Sequence, residues 1–253
     1  MLNLKKITLL AMCLTASSVL AGQALADAKN IVLVHGLNMD GGAWRSVYKQ
    51  LSAKDYNVTV VQMPMTSIEA DVAAVRRAID VQEGPIVLAG HSYGGMVISQ
   101  AGIDPDVKAL VYIAAFQPEV GESLGFLNAS IPAELPAAAI KVFDDGYYLV
   151  EPETWIADVA NGTKNSDSEF TANFQAAANT SIFGYEAENA AWKNKPSWAL
   201  VPTNDRTVSP ELQQKMASRS GAQVQEIDAG HLVHMSNPDE VTALIESAAA
   251  AVD

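Results

Sequence analysis

Residues 85–95 read Pro-Ile-Val-Leu-Ala-Gly-His-Ser-Tyr-Gly-Gly, and no other segment of the chain restricts its fold as much. The run Ile86-Val87-Leu88-Ala89 has the unbroken hydrophobicity of a strand covered on both faces. Met96, Val97, Ile98 and Ala101 follow at a spacing suited to a helix packed back onto that strand. Gly90-His91-Ser92-Tyr93-Gly94 then forms the junction between them. A sharp strand–turn–helix junction of this kind, a nucleophile elbow, raises a serine hydroxyl at the exposed end of a strand. Glycines at 90 and 94 keep side chains out of a turn whose strained residue is Ser92. The pentapeptide alone arises by chance in roughly one chain of this length in ten. Its weight comes from the strand before it and the helix after it.

The N-terminus is read separately from the fold. Lys5 and Lys6, the apolar run Ile7 to Leu14 and Ala24-Leu25-Ala26 have the order of a signal peptide, residues 1–26. The apolar run is too short for a transmembrane helix. Cleavage after Ala26 would start the mature chain at Asp27 and export it, to the periplasm or the medium of a bacterium. It would also remove Cys13, the single cysteine, so the exported chain is held by its core rather than by disulfides. Residues 27–253 are ample for one domain with a large core. The whole chain carries a net charge of −13, with no basic patch. Nucleic acid and stable membrane association are therefore not expected. A monomer or a homodimer fits equally well.

Apolar, β-branched runs recur at Ile31–Val34, Val58–Val61, Ile86–Ala89 and Ala109–Ala114. Between them Trp44, Val47, Tyr48 and Leu51 share one helical face, as do Ile68, Val72, Val75 and Ile79. Thr66 with Glu69 has the spacing of a capping box for the second of these helices. Strands alternating with helices imply an α/β chain with a mostly parallel central sheet flanked by helices. The alternation breaks at about residue 116 and resumes at about 196. The interval is too long for a bare loop and reads as an inserted cap. A hairpin is expected within it, Ile140–Phe143 with Tyr147–Val150, turning at Asp145-Gly146. The seven cap aromatics Phe143, Tyr147, Tyr148, Trp155, Phe183, Tyr185 and Trp192 are expected to form a small core of their own. Strands follow at Ser197–Val201 and Gln223–Ile227. Ser209-Pro210-Glu211 and Asn237-Pro238-Asp239-Glu240 open the last helices.

A serine nucleophile needs a base and a carboxylate to orient that base. His231, in Asp228-Ala229-Gly230-His231 directly after a strand, is the candidate base. His234 takes that role only if the loop follows another path. His91 adjoins the serine, yet at an elbow its side chain should turn away from it. Asp205, in Thr203-Asn204-Asp205-Arg206 after another strand, is the candidate acid. Asp228 competes but sits too near His231 along the chain. Backbone N–H groups of Tyr93 and of Leu37, in the loop Val34-His35-Gly36-Leu37-Asn38, are the candidate oxyanion donors. His35 reads as a brace for that loop. His231-Leu232-Val233-His234 is an H-x-x-H without the glutamate of a zinc helix, and the glycines at 90, 94 and 95 form no dinucleotide fingerprint. No metal and no cofactor are expected.

Val32-Leu33-Val34-His35-Gly36, Gly41-Gly42-Ala43-Trp44, the Gly90–Gly95 elbow, Asp205-Arg206 and Gly230-His231 together resemble the α/β-hydrolase superfamily. Within it the chain is similar to the branch of plant methylesterases and hydroxynitrile lyases. The resemblance implies an α/β-hydrolase fold, triad roles for Ser92, Asp205 and His231, and oxyanion roles for Leu37 and Tyr93. Those lyases carry threonine at the position of Gly36 and lysine at that of Leu232. Both departures favour hydrolysis over cyanohydrin cleavage. The leading expectation is a serine esterase acting on small or medium, largely apolar carboxylic esters through an acyl-enzyme on Ser92. The alternatives are a lyase-like enzyme, an acyltransferase, an amide hydrolase, and a non-catalytic small-molecule binding protein on the same fold.

Overall fold

The computed structural model describes residues 28–252. The expected signal peptide, residues 1–26, and the new terminus at Asp27 lie outside the described residues. In chain order, β1 (Asn30–Val34), α1 (Arg45–Ser52), β2 (Asn57–Val60), α2 (Ile68–Asp80), β3 (Ile86–His91), α3 (Gly94–Ala101) and β4 (Val107–Ile113) alternate strictly. The intervening segment then holds α4 (Leu124–Ser130), β5 (Ile140–Val142), β6 (Tyr147–Val150), α5 (Pro152–Thr154), a π-helical turn (Trp155–Val159), α6 (Asn165–Asn173) and β7 (Ala178–Asn179). Alternation returns with β8 (Ser197–Pro202), α7 (Pro210–Ser220), β9 (Gln223–Ile227), α8 (Val233–Ser236) and α9 (Pro238–Ala251).

β1, β2, β3, β4, β8 and β9 form one six-stranded sheet in the order β2-β1-β3-β4-β8-β9. Every pairing in it is parallel. Side chains alternate across it with period two. Ile31 and Leu33 of β1 and Val87 and Ala89 of β3 pack with Val47 and Leu51 of α1 and with Val241 and Ile245 of α9. Val32, Val34 and Leu88 face the other way, toward Val72, Val75 and Ile79 of α2 and Met96 and Val97 of α3. Covering both faces explains why the central strands read as unbroken apolar runs. Each fully buried aliphatic side chain contributes roughly 1.5–3 kcal/mol over exposure, so the two helical layers are tied to the sheet along its length.

Strand order reverses between β1 and β3. The crevice outside the carboxyl ends of the strands at such a point is where open α/β sheets place their ligands. The loops after β1, β3, β8 and β9 all open at that end.

Three local expectations change. Ser67, not Thr66, caps α2: its backbone is extended and its hydroxyl accepts from the Ala70 N–H at 3.3 Å. Tyr48 is 42% exposed, because Trp44, Val47 and Leu51 already fill the stripe that meets the sheet. Ser209 and Asn237 stand at the starts of α7 and α9 with proline behind them, but neither side chain makes the capping bond. The hairpin forms as read: β5 and β6 are antiparallel, and Gly146 turns at φ +83°. β7 extends the pair to a three-stranded sheet.

Candidate active site

The loop between β3 and α3 is the elbow, and its strain is visible. Ser92 has φ +54°, in the left-handed region that an L-residue enters at a cost of order 1–3 kcal/mol. The surroundings hold it there. Ser92 N–H donates to Ile113 O at 3.1 Å, and Ser92 O accepts from both Gly95 N–H and Phe116 N–H. Close approach explains the flanking glycines. A Cβ on Gly90 would lie 2.6 Å from the Gly94 carbonyl, and one on Gly94 would lie 2.7 Å from the Val34 oxygen.

Asp205 and His231 arrive from the ends of β8 and β9. His231 Nδ1 lies 2.8 Å from Asp205 Oδ2. A carboxylate only accepts, so Nδ1 carries a proton, and in the neutral ring the lone pair is then on Nε2. The carboxylate is fully occupied. Its Oδ1 accepts from Thr207 N–H and Val208 N–H at 2.8 and 2.9 Å, and its Oδ2 also accepts from Gln213 Nε2 at 2.8 Å. Gln213 on α7 was not legible as a site residue, since it reads as half of the solvated pair Gln213-Gln214. Asn161 is the other such residue. Its Nδ2 donates to Asn204 O at 2.7 Å and its Oδ1 accepts from His231 N–H at 3.4 Å. One side chain of the inserted segment therefore braces the loops of both the candidate acid and the candidate base. Asp228 is exposed and receives the Asn204 side-chain amide, away from the imidazole.

The other histidines have separate positions. His35 accepts from Met63 N–H at its Nε2, 3.0 Å, while its Nδ1 donates to Gly36 O at 2.9 Å. That is a brace across the loop after β1. His91 Nε2 donates to His231 O at 3.0 Å, and its ring lies 4.7 Å from that of His231 and 4.1 Å from that of His234. It is thus turned to the base loop, and it also borders the site cavity. His234 sits between His91 and Trp44, with no partner for either nitrogen among the described residues. Burial holds His91 well below the ordinary imidazole range and His234 at about 3, with neighbouring rings adding to both effects; it also lowers His35.

The N–H of Tyr93 heads α3, where helix geometry supplies no intrahelical acceptor. The Tyr93 side chain is anchored from below: its hydroxyl donates to Asp71 Oδ2 at 2.6 Å, and Asp71 Oδ1 accepts from Met65 N–H at 2.8 Å. Burial raises the Asp71 pKa, and these two bonds oppose the rise. Leu37, Ser92 and His231 line one cavity of about 240 Å³. The inserted segment roofs it. Tyr148, Trp155 and Phe183 line it, and Tyr148 and Trp155 belong to the same apolar cluster as the sheet. The cap aromatics therefore do not form a separate small core. The insertion has no sheet of its own large enough to cover them, so they close onto the main one. Trp192 joins the same cluster and donates to Pro118 O at 2.7 Å, while Phe143 is 44% exposed.

A doubly wound parallel sheet, with a strained serine after its third strand and an aspartate–histidine pair on later loops, defines the α/β-hydrolase architecture. The chain belongs to the alpha/beta hydrolase family, whose profile matches residues 31–244. It is 28% identical over 243 residues to the alpha/beta hydrolase nvfD of Aspergillus novofumigatus (strain IBT 16806), covering 87% of this chain and 96% of that one. Over 133 residues it is 32% identical to the carbendazim hydrolyzing esterase of Nocardioides sp. (strain SG-4G), covering 47% of this chain and 54% of that one. Among solved structures, a pyrethroid hydrolase from Sphingobium faniae JZ-2 superposes with a TM-score of 0.73 at 21% identity, covering 88% of this chain and 98% of that one. Polyneuridine aldehyde esterase does so with a TM-score of 0.74 at 18% identity, covering 87% of this chain and 98% of that one. At these identities the likeness of structure speaks for the fold.

Proposed function

We propose that the protein is a serine esterase that cleaves carboxylic esters of small or medium, largely apolar molecules. One observation carries the reading. Ser92, strained at the elbow, and His231, held by Asp205 through Nδ1, open into the same apolar cavity. In this reading Ser92 Oγ attacks the ester carbonyl while His231 Nε2 takes its proton. Asp205 fixes the imidazole tautomer and stabilises the imidazolium. The N–H groups of Leu37 and Tyr93 receive the oxyanion. Collapse expels the alcohol, protonated by His231, and leaves an acyl group on Ser92. Water, deprotonated by the same imidazole, then releases the acid.

The names of relatives support hydrolysis, since an esterase and a pyrethroid hydrolase are among them. Two positions weigh against cyanohydrin cleavage. Leu232, not a cation, stands beside His231 on the cavity wall. A Cβ at Gly36 would lie 2.9 Å from Ser92 Cβ and 2.9 Å from His91 Nδ1, so threonine there would crowd the nucleophile. Purified protein is expected to cleave p-nitrophenyl butyrate, to release no cyanide from mandelonitrile above the uncatalysed rate, and to take a fluorophosphonate label. Ser92→Ala should abolish the label and lower turnover by roughly 10⁴-fold or more. A label that persists in the mutant moves the nucleophile elsewhere, and cyanide release without ester cleavage replaces the esterase reading with a lyase. We further infer export, and sequencing of the mature N-terminus should begin at Asp27; an intact Met1 terminus would refute it.

A further inference from the structure

A second groove lies against the catalytic cavity and shares a wall with it. It encloses about 360 Å³ and is lined by Met39, Phe170, Phe174 and Met235, among others. Met39 lines both spaces and is 6% exposed. It stands two residues beyond Leu37, and Met235 stands four beyond His231, so the groove is built on flanks of the two loops that carry the reaction. A second shared wall is the pair Trp155–Thr171. The Trp155 indole borders the catalytic cavity, its Nε1 donates to Thr171 Oγ1 at 3.0 Å, and Thr171 lines the groove. The partition is firmly held. Asn38, at φ +59°, sends its amide to Tyr148 O and Ala176 O at 3.2 and 3.1 Å and accepts from Ala176 N–H at 3.1 Å. Met39 is therefore presented by a pinned backbone, while its own side chain is unbranched and adaptable.

The outer wall has a feature that the fold does not need. Phe170 and Phe174 stack at 5.0 Å and 18° while remaining 62% and 55% exposed. Aromatic faces left in water beside a cavity mark a ligand surface more readily than single scattered apolar residues do. We propose that this groove is the subsite for the alcohol arm of the substrate, which carries an aromatic ring, and that Met39 is the gate the arm passes. The inference rests on the esterase reading. Covalent attachment sets the arms: the acyl group stays bonded to Ser92, in the cavity that Ser92 itself lines, so the groove that Ser92 does not line takes the alcohol that is expelled.

Two butyrate esters test it, that of ethanol and that of 4-phenylbenzyl alcohol, which differ only in the alcohol. The wild type should favour the biphenyl ester in kcat/KM. The double variant F170S/F174S should lower the ratio of the two kcat/KM values at least tenfold, and Met39→Ala should raise it. A binding arm is independent of turnover. In the Ser92→Ala background, calorimetric Kd for the biphenyl ester should weaken at least tenfold when F170S/F174S is added, with Tm within about 2 °C. Both esters cleaved with an unchanged ratio overturns the subsite and leaves the esterase reading standing. Neither ester cleaved, with the Kd still dependent on Phe170 and Phe174, overturns the esterase reading and keeps the subsite. An unchanged Kd overturns the subsite.

Discussion

A carboxylate that orients a histidine should be more sensitive to isosteric change than one that merely turns a loop. Asp205 accepts four hydrogen bonds, one from the imidazole and three from groups that fix its own position. Asp205→Asn keeps the shape but offers a donor where His231 Nδ1–H needs an acceptor, so the imidazole turns to the wrong tautomer. Ester turnover should fall by roughly 10⁴-fold. Asp228→Asn removes a charge from an exposed loop and should cost less than about threefold. Parallel kcat determinations on the two variants decide the matter, and equal losses would dissolve the assignment. At this scale the site was legible wherever a functional residue ends an apolar strand. Of the candidates, Ser92, Asp205 and Leu37 do so or lie just beyond, whereas His231 follows the exposed, polar strand β9 and was marked by strand position and chain order instead. Gln213 and Asn161 were not legible, because each is a polar residue on another element whose partner is fixed only when the chain closes.

Elements were readable where one physical signal dominates and less so where two compete. The strands β1, β3, β4 and β8 are buried on both faces, and their apolar runs have no other reading. The start of α2 offered two hydroxyls in succession, Thr66 and Ser67, and the spacing to Glu69 pointed to the first. The backbone chooses the second, since Met65 before them is held at φ +52° with its N–H on Asp71, and the chain becomes extended at Ser67. Hence Ser67→Ala should destabilise the fold by about 1 kcal/mol, whereas Thr66→Ala should stay within about 0.5 kcal/mol. Urea midpoints at constant slope measure both, and the reverse order would restore Thr66 as the cap. Between β4 and β8 the segment has short pieces, a π-helical turn at Trp155–Val159 and a strand of two residues at Ala178–Asn179. The turn and the two-residue strand are too short to imprint a period and were not visible in the sequence, whereas the β5–β6 hairpin was, through its Asp145-Gly146 turn.

Across the whole molecule, the parallel sheet followed from alternation, but its strand order did not, because periodicity records burial and not neighbours. The same blindness hid a property that only assembly creates. His35 from the loop after β1, His91 from β3 and His234 from α8 are all buried, and burial is the first cause of each lowered pKa. Unfolded, each would take a proton near pH 6.5. As pH falls below that value the unfolded chain therefore binds more protons than the folded one, and stability is lost. Each histidine contributes a slope of roughly 1.4 kcal/mol per pH unit until its folded pKa is reached, which for His234 is about 3. Asp71 acts in the opposite sense, since its raised pKa lets the folded state hold a proton that the unfolded state has released; one carboxylate partly offsets three imidazoles. Urea-derived stability should thus fall as the pH is lowered from 6.5 to 5, His234 contributing across the whole window because its folded pKa lies at about 3. His234→Phe isolates one contributor. It fills the space between Trp44 and His91, removes no hydrogen bond to the described residues, and should change stability at pH 7.5 by less than about 1.5 kcal/mol. Its slope below pH 6 should be shallower by roughly the value of one histidine. A slope equal to that of the wild type would show that His234 is already protonated in the folded protein.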